Sequence, residues 1–175
     1  MEFSCIAPGV DETPQPNERG ASLVARLARS KAAAVAARQP NAWVIGSDQV
    51  AVLDDAGAEL IFGKPGTASR CMEQLQRCSG RTLEFLTAVA VMRQADGSLT
   101  EFVDSTRVKF RELDLAAIRR YVAKEKPLDC AGGFKSEGLG ISLCESVDSE
   151  DPNGLIGLPL IRLSAVLRTA GYELP

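Results

Sequence analysis

The stretch that decides the fold is Asn41-Ala-Trp-Val-Ile-Gly-Ser-Asp-Gln-Val-Ala-Val-Leu-Asp-Asp55. Its first half (Trp43, Val44, Ile45) is apolar and largely β-branched, and the second (Val50, Ala51, Val52, Leu53) resumes at once, as in a strand covered on both faces. Gly46-Ser47-Asp48-Gln49 interrupts the run. One reading makes Gly46-Ser47 a bulge or tight bend capped by Asp48. The other makes the stretch a buried strand that delivers an acid, Asp48, to a cleft with an amide, Gln49, beside it. The strand pattern alone leaves both open, so the decision lies in the rest of the chain.

The chain has 175 residues, 45% hydrophobic and 25% charged, with a formal net charge of −3. That is enough for one substantial core, and a single domain over 1–175 with two lobes is expected. No run reaches the roughly 18 apolar residues of a membrane span, and Met1–Gly20 lacks the pattern of a signal peptide, so a cytoplasmic protein without a membrane partner is expected. The five cysteines are an odd set without a C-x-x-C pair, which fits reduced thiols rather than a disulfide frame or zinc cluster. There is no histidine. Ser-His and Cys-His machinery and histidine-based zinc sites are thereby excluded, leaving carboxylates, lysines, hydroxyls or an oxygen-bound hard metal for any catalysis. The negative balance also argues against a nucleic-acid polymer as partner, while leaving room for a small anion held by local cations.

Before the central stretch, Pro8–Gly20 is loop material around Asp11 and Glu12. A helix is expected from Ser22, as N-cap, to Arg38, with Val24, Leu27, Ala28 and Val35 as its apolar stripe. Lys31 falls on that stripe and points inward or to its margin, either as a placed charge or as a snorkelling side chain. After the stretch, Gly63-Lys64-Pro65 holds a second lysine between two backbone-fixing residues. Thr67–Cys78 reads as a helix, and 81–94 and 99–111 as two strands joined at Asp96-Gly97. Asp114 caps a helix ending near Lys126-Pro127. Asp129–Gly140 carries four glycines around Phe134, Lys135, Ser136 and Glu137, so its backbone can approach a ligand. Leu139, Ile141, Leu143 and Val147 then alternate as a strand, and a last helix begins at Pro159 and stops at Gly171. The expected class is α/β, with helices flanking a mixed central sheet.

Glu12, Lys31, Asp48 and Lys64, with Asp11, Gln49, Lys135, Ser136 and Glu137, form an inventory of carboxylates and lysines suited to a magnesium-bound polyphosphate. The lysines would neutralise a leaving group while a carboxylate activates water for in-line attack on phosphorus.

The order and wording of Val10-Asp-Glu-Thr-Pro14, Leu27-Ala28-x-x-Lys31-Ala32, Gly46-Ser-Asp-Gln-Val50, Gly63-Lys-Pro65, Cys130-Ala-Gly-Gly-Phe-Lys-Ser-Glu-Gly138 and Asp151-Pro-Asn-x-x-x-Gly-Leu-Pro159 closely resemble the Maf (septum-formation) nucleotide pyrophosphatases. The resemblance covers essentially the whole chain. Ser-Asp-Gln with Phe-Lys-Ser-Glu-Gly resembles the 7-methyl-GTP branch rather than the dTTP/UTP branch. The resemblance implies an elongated two-lobed α/β fold with a cleft, similar to inosine triphosphatases, and metal-assisted hydrolysis of a nucleoside triphosphate to monophosphate and pyrophosphate. It implies Asp48 as proton acceptor, Glu12 and Asp48 as ligands of Mg or Mn, Lys31 and Lys64 on phosphate, Lys135 and Ser136 in substrate binding, and Gln49 and Glu137 in base selection. A homodimer is also implied. The alternatives are pyrimidine triphosphate (dTTP/UTP) hydrolysis, or a non-catalytic nucleotide-binding regulator of division or septum formation. The family pattern usually begins about 20 residues earlier, with a strand and a Ser-x-x-x-Arg phosphate loop, and this sequence starts after them.

Overall fold

The computed structural model describes residues 2–175. Its elements in chain order are α1 (Gly20–Ala36), β1 (Val44–Asp55), β2 (Ala58–Phe62), α2 (Ala68–Cys78), β3 (Thr82–Arg93), β4 (Ser98–Phe110), α3 (Leu115–Glu125), β5 (Cys144–Ser149) and α4 (Leu160–Thr169). The five strands form one sheet in the order β2-β1-β3-β4-β5. The sheet flanked by helices is the α/β class expected, but where a mixed sheet was expected every strand pairing among the described residues is antiparallel.

The central stretch is one strand. Val44–Leu53 pairs with Met92–Leu83 on β3 residue for residue, through Gly46 and Ser47 without a break. The bend reading of Gly46-Ser47 is therefore corrected, because the glycine serves a crossing rather than a turn. A Cβ at Gly46 would lie 2.6 Å from the Ala32 backbone nitrogen and closer still to the Ala28 carbonyl oxygen, so α1 passes over β1 with backbone nearly on backbone. Ala28 and Ala32 are small for the same reason, and both are buried.

Alternation along the strands assigns two faces. On the first, Val44, Val50 and Val52 of β1 and Ala88 and Ala90 of β3 pack under Leu23, Val24, Leu27 and Ala28 of α1. On the second, Ala51, Leu53, Leu83, Phe85, Val108 and Phe110 pack under α2, α3 and Phe134. Farther along that face, Val89, Val91 and Phe102 pack under Leu163 and Leu167 of α4.

Three local expectations are corrected. Helix α1 begins at Gly20, two residues before Ser22, and its N-cap Arg19 makes no side-chain cap bond. The Gly20 amide instead donates to Glu59 on β2, a distant residue that takes the cap's role. The segment Leu139–Leu143 is a 3₁₀ turn, and the strand starts only at Cys144. Leu139 and Ile141, whose alternation suggested a strand, are exposed. Pro159 is the N-cap residue of α4 rather than part of its first turn. The hairpin holds as expected, with Gly97 at a positive φ of 72° closing a 3₁₀ turn over Gln94–Asp96.

Gly46→Ala should destabilise the fold by about 1–3 kcal/mol or more, since backbone on both sides leaves no flexible neighbour to yield. Urea midpoints for the two proteins measure this, with Gly63→Ala as a control at a position where an added Cβ meets nothing within 4 Å and φ is not positive.

Candidate active site

The crossing of α1 over β1 places Lys31 against Asp48. Lys31 lies on α1 one residue before Ala32, and Asp48 faces α1 two residues beyond Gly46 on the same side of the strand. Lys31 Nζ donates to Asp48 Oδ1 at 2.5 Å and lies 2.8 Å from Glu12 Oε1. The lysine and aspartate side chains are 17% and 10% exposed, so this is a placed charge and not a lysine that only buries its stem.

Glu12 comes from a segment with no helix or strand over residues 2–19. Arg26 on α1 holds that segment by donating to the Thr13 carbonyl and pairing with Glu18, and Arg38 donates to the Ala7 carbonyl. Asp11 points elsewhere, accepting from the Thr13 amide and hydroxyl.

Burial raises the Asp48 pKa above the ordinary carboxylate value, the hydrogen bond and charge of Lys31 pull it back in part, and the Glu12 charge adds to the rise. For Lys31, burial works downward, but its hydrogen bonds to Asp48 and Glu12 outweigh it and the net shift is upward. The ammonium therefore stays charged, and Asp48 is a carboxylate of enhanced basicity. Asp48 Oδ2 makes no hydrogen bond among the described residues, so one oxygen is held and the other is free.

Lys64 is exposed and follows the end of β2. Its charge reaches Asp48 and lowers that group's pKa. Strand β2 pairs with β1 only from Ala51 to Asp55, so no strand among the described residues covers that edge of β1 from Val44 to Val50. Gly63 is tied to the glycine-rich loop, its carbonyl accepting from the Gly132 amide at 3.3 Å.

Gln49 points to the opposite face from Asp48, as strand alternation requires. Its Nε2 donates to Thr87 Oγ1 at 2.8 Å and to the carbonyls of Gly154 at 2.9 Å and Leu155 at 3.3 Å. The loop bearing Lys135, Ser136 and Glu137 is on that second face too, since the Phe134 ring packs tilted against Phe85 and edge-on against Phe110, and Gly132 packs on Ala51 and Leu83. Tyr121 fixes the loop, donating to the Gly133 carbonyl and accepting from the Lys135 amide. The Lys135 ammonium pairs with Glu125 at 3.2 Å, a hydrogen bond that raises its pKa. Ser136 Oγ lies 3.4 Å from Glu137 Oε2, and Glu137 is exposed. The structure thus gathers Glu12, Lys31 and Asp48 with the Lys64 charge beside them, and sets Gln49, Lys135, Ser136 and Glu137 across the strand.

Thr87 and Asp104, absent from the sequence reading, continue the row from Gln49 across the second face, where Gln49 pairs Thr87 and Thr87 pairs Asp104. Asp104 is 5% exposed and its Oδ2 has no hydrogen-bond partner among the described residues. Burial and the Asp151 charge raise its pKa against the pull of Arg162. The signal was available. Phe102, Thr106, Val108 and Phe110 alternate inward on β4, and Asp104 shares their phase.

Among the described residues, no group of three or more His, Cys, Asp or Glu is placed to hold a metal, and no helix is long and apolar enough to cross a membrane. The Maf-like protein family matches residues 1–170 of the chain. A protein of Aromatoleum aromaticum named 7-methyl-GTP pyrophosphatase is 53% identical over 175 residues, covering all of this chain and 88% of its own length. Proteins of that name from Alkalilimnicola ehrlichii and Pseudomonas aeruginosa are 53% and 47% identical, over 99% and 100% of this chain and 85% and 89% of their own lengths.

Lys31→Met should cost about 1–3 kcal/mol near neutral pH by leaving Asp48 buried without its donor. Without the ammonium, the Asp48 pKa in the folded state lies farther above its unfolded value, so the carboxyl favours the fold only while protonated. The deficit against the parent should therefore shrink as pH falls toward ~4. Urea unfolding at the two pH values tests the sign.

Proposed function

The chain belongs to the Maf family, and from that premise and the geometry of the site we propose that it is a nucleotide pyrophosphatase that hydrolyses 7-methyl-GTP to 7-methyl-GMP and pyrophosphate. The observation that carries the mechanism is one ammonium, Lys31, held between two carboxylates beside the part of β1 that β2 leaves uncovered. A carboxylate of raised basicity with one free oxygen is a general base, and cations next to it are what a triphosphate requires.

In this reading, Asp48 Oδ2 takes a proton from water as the water oxygen bonds to the α-phosphorus. The α–β bridging bond breaks and its electrons leave with pyrophosphate. Lys31 and Lys64 neutralise the charge that grows on the departing oxygens. Lys31 also holds Asp48 Oδ1, which aims Oδ2 and keeps the carboxyl ionised in a site where burial opposes charge.

A divalent metal fits this site in donor chemistry. Glu12 and Asp48 are hard oxygen donors of the kind Mg or Mn takes, and because Lys31 Nζ fills the point between Glu12 Oε1 and Asp48 Oδ1, an ion would be held beside the ammonium rather than in its place. With only these two carboxylates to hold it, the ion would complete its shell with phosphate oxygens and water, and when bound it would polarise the phosphate.

The base is read on the other side of the strand. A substrate that reaches both Asp48 and Gln49 lies across the uncovered edge of β1, with its phosphates on the α1 face and its base on the face of Gln49 and Glu137. Guanine offers N1–H and an exocyclic amino group, a donor pair that a carboxylate accepts and that a pyrimidine lacks. The exposed Glu137 carboxylate and the Gln49 amide are the groups assigned to that recognition, with Lys135 and Ser136 shaping the loop that carries Glu137.

Asp48→Asn should abolish release of pyrophosphate from 7-methyl-GTP in the presence of Mg or Mn, and normal turnover would remove Asp48 as the base. In the parent, kcat/KM should rise with pH through a limb above the ordinary carboxylate range, because the base must lose its proton and its pKa is raised by burial. Glu137→Gln should narrow the preference for 7-methyl-GTP over UTP. An unchanged ratio of kcat/KM for the two substrates would take Glu137 out of base selection.

A further inference from the structure

We infer that Thr87 is a positioning residue for base selection, fixing the Gln49 side-chain amide so that Oε1 faces outward as an acceptor. This rests on the pyrophosphatase reading and extends it to a residue that touches no substrate.

The polarity of the amide follows from its partners. The Gly154 and Leu155 carbonyls can only accept, so the group facing them must be the NH₂. The single hydroxyl proton of Thr87 goes to the Gly154 carbonyl at 2.9 Å, so Thr87 Oγ1 must accept from Gln49 Nε2 at 2.8 Å. A reversed amide would set Oε1 against two carbonyl oxygens. The forward amide directs both its hydrogens inward and leaves Oε1 without a partner among the described residues. Gln49 thus offers an acceptor to a ligand and no donor.

Thr87 is what makes this arrangement rigid. It is 1% exposed and bonds both to Gln49 and to the loop whose carbonyls Gln49 uses. That loop, a 3₁₀ turn over Gly154–Ile156, lies directly on the sheet, since a Cβ at Gly154 would collide with Asp104 Oδ2. Among the described residues, no other side chain bonds both the Gln49 amide and this turn. Ser47 Oγ donates to the carbonyl of Gly157, the residue that follows the turn, at 2.7 Å. An acceptor fixed in this way favours bases that present N–H groups and disfavours those that present lone pairs at the same point.

The test compares Thr87→Val and Thr87→Ser with the parent, measuring kcat and KM on 7-methyl-GTP and on UTP. Valine keeps the shape and removes both hydrogen bonds, and serine keeps the hydroxyl. Thr87→Val should lower kcat/KM for 7-methyl-GTP by about five- to fifty-fold, mainly through KM, as expected for one or two lost hydrogen bonds. It should change kcat/KM for UTP by less than about twofold, and Thr87→Ser should restore the parent ratio. An equal fall on both substrates, or no change in their ratio, would overturn the inference. If the parent itself releases no pyrophosphate from 7-methyl-GTP, the functional reading has failed, and the Gln49 side-chain NH₂ resonances decide the positioning role. They should sit at hydrogen-bonded positions in the parent and the serine variant and move toward free-amide positions in the valine variant. Free-amide positions in the parent would overturn the inference, and the parent and serine spectra suffice for this reading if the valine variant does not fold.

Discussion

The close approach of α1 to β1 at Gly46 is the constraint on which the rest depends. A strand and a helix ordinarily keep a layer of side chains between them, and here the layer is reduced to Ala28, Ala32 and a glycine with no side chain. The short separation lets a lysine on the helix place its ammonium on a strand carboxylate two residues from the crossing. A larger residue at Gly46 would lift α1 and move Lys31 from Asp48 before it disturbed any pairing within the sheet. Fold and chemistry are therefore linked through one missing Cβ.

The electrostatic design follows from that distance. Asp48 is buried enough for desolvation to dominate its titration, yet Lys31 and Lys64 keep it an anion. A carboxylate exposed to water would be a weak base, and one buried without a cation would be neutral. The absence of histidine then has a physical corollary. The site contains no imidazole, so its charge pattern comes from carboxylates and lysines, whose ordinary pKa values lie on either side of the neutral range.

Much of this arrangement was legible in the chain. Lys31 announced itself by sharing the period of Leu27 and Val24, and Asp48 by interrupting an apolar run. What was not legible depended on partners far away in sequence. Gly46 in a strand reads alike whether the backbone turns there or another element crosses it, and only the tertiary contact separates the two. The start of α1 at Gly20 is set by Glu59, 39 residues on, which no local capping signal could reveal. Leu139 and Ile141 alternate like strand residues but face solvent, so the pattern misled where no core lay beneath it. Strand alternation put Gln49 opposite Asp48 from the outset, and taking the two as simple neighbours overlooked it. Thr87 and Asp104 carried the same inward phase as their apolar neighbours.

Asp151, buried at 1% exposure, joins two parts of the molecule. Its Oδ2 accepts from the Ile161 amide in the first turn of α4, its Oδ1 from the Asn153 amide, and its carbonyl from the Gly154 amide. The C-terminal helix and the turn beneath Gln49 are thus pinned by one residue. When α4 frays, the cap that holds Asp151 loosens, and the turn supplying the Gln49 carbonyls loosens with it. The two faces of β1 consequently differ in mechanical character. The Asp48 face is braced by backbone against backbone, whereas the Gln49 face inherits the local unfolding equilibrium of a ten-residue helix near the end of the chain. Heat or denaturant at sub-denaturing levels should therefore reach the Gln49 side of the strand before the side that carries Asp48.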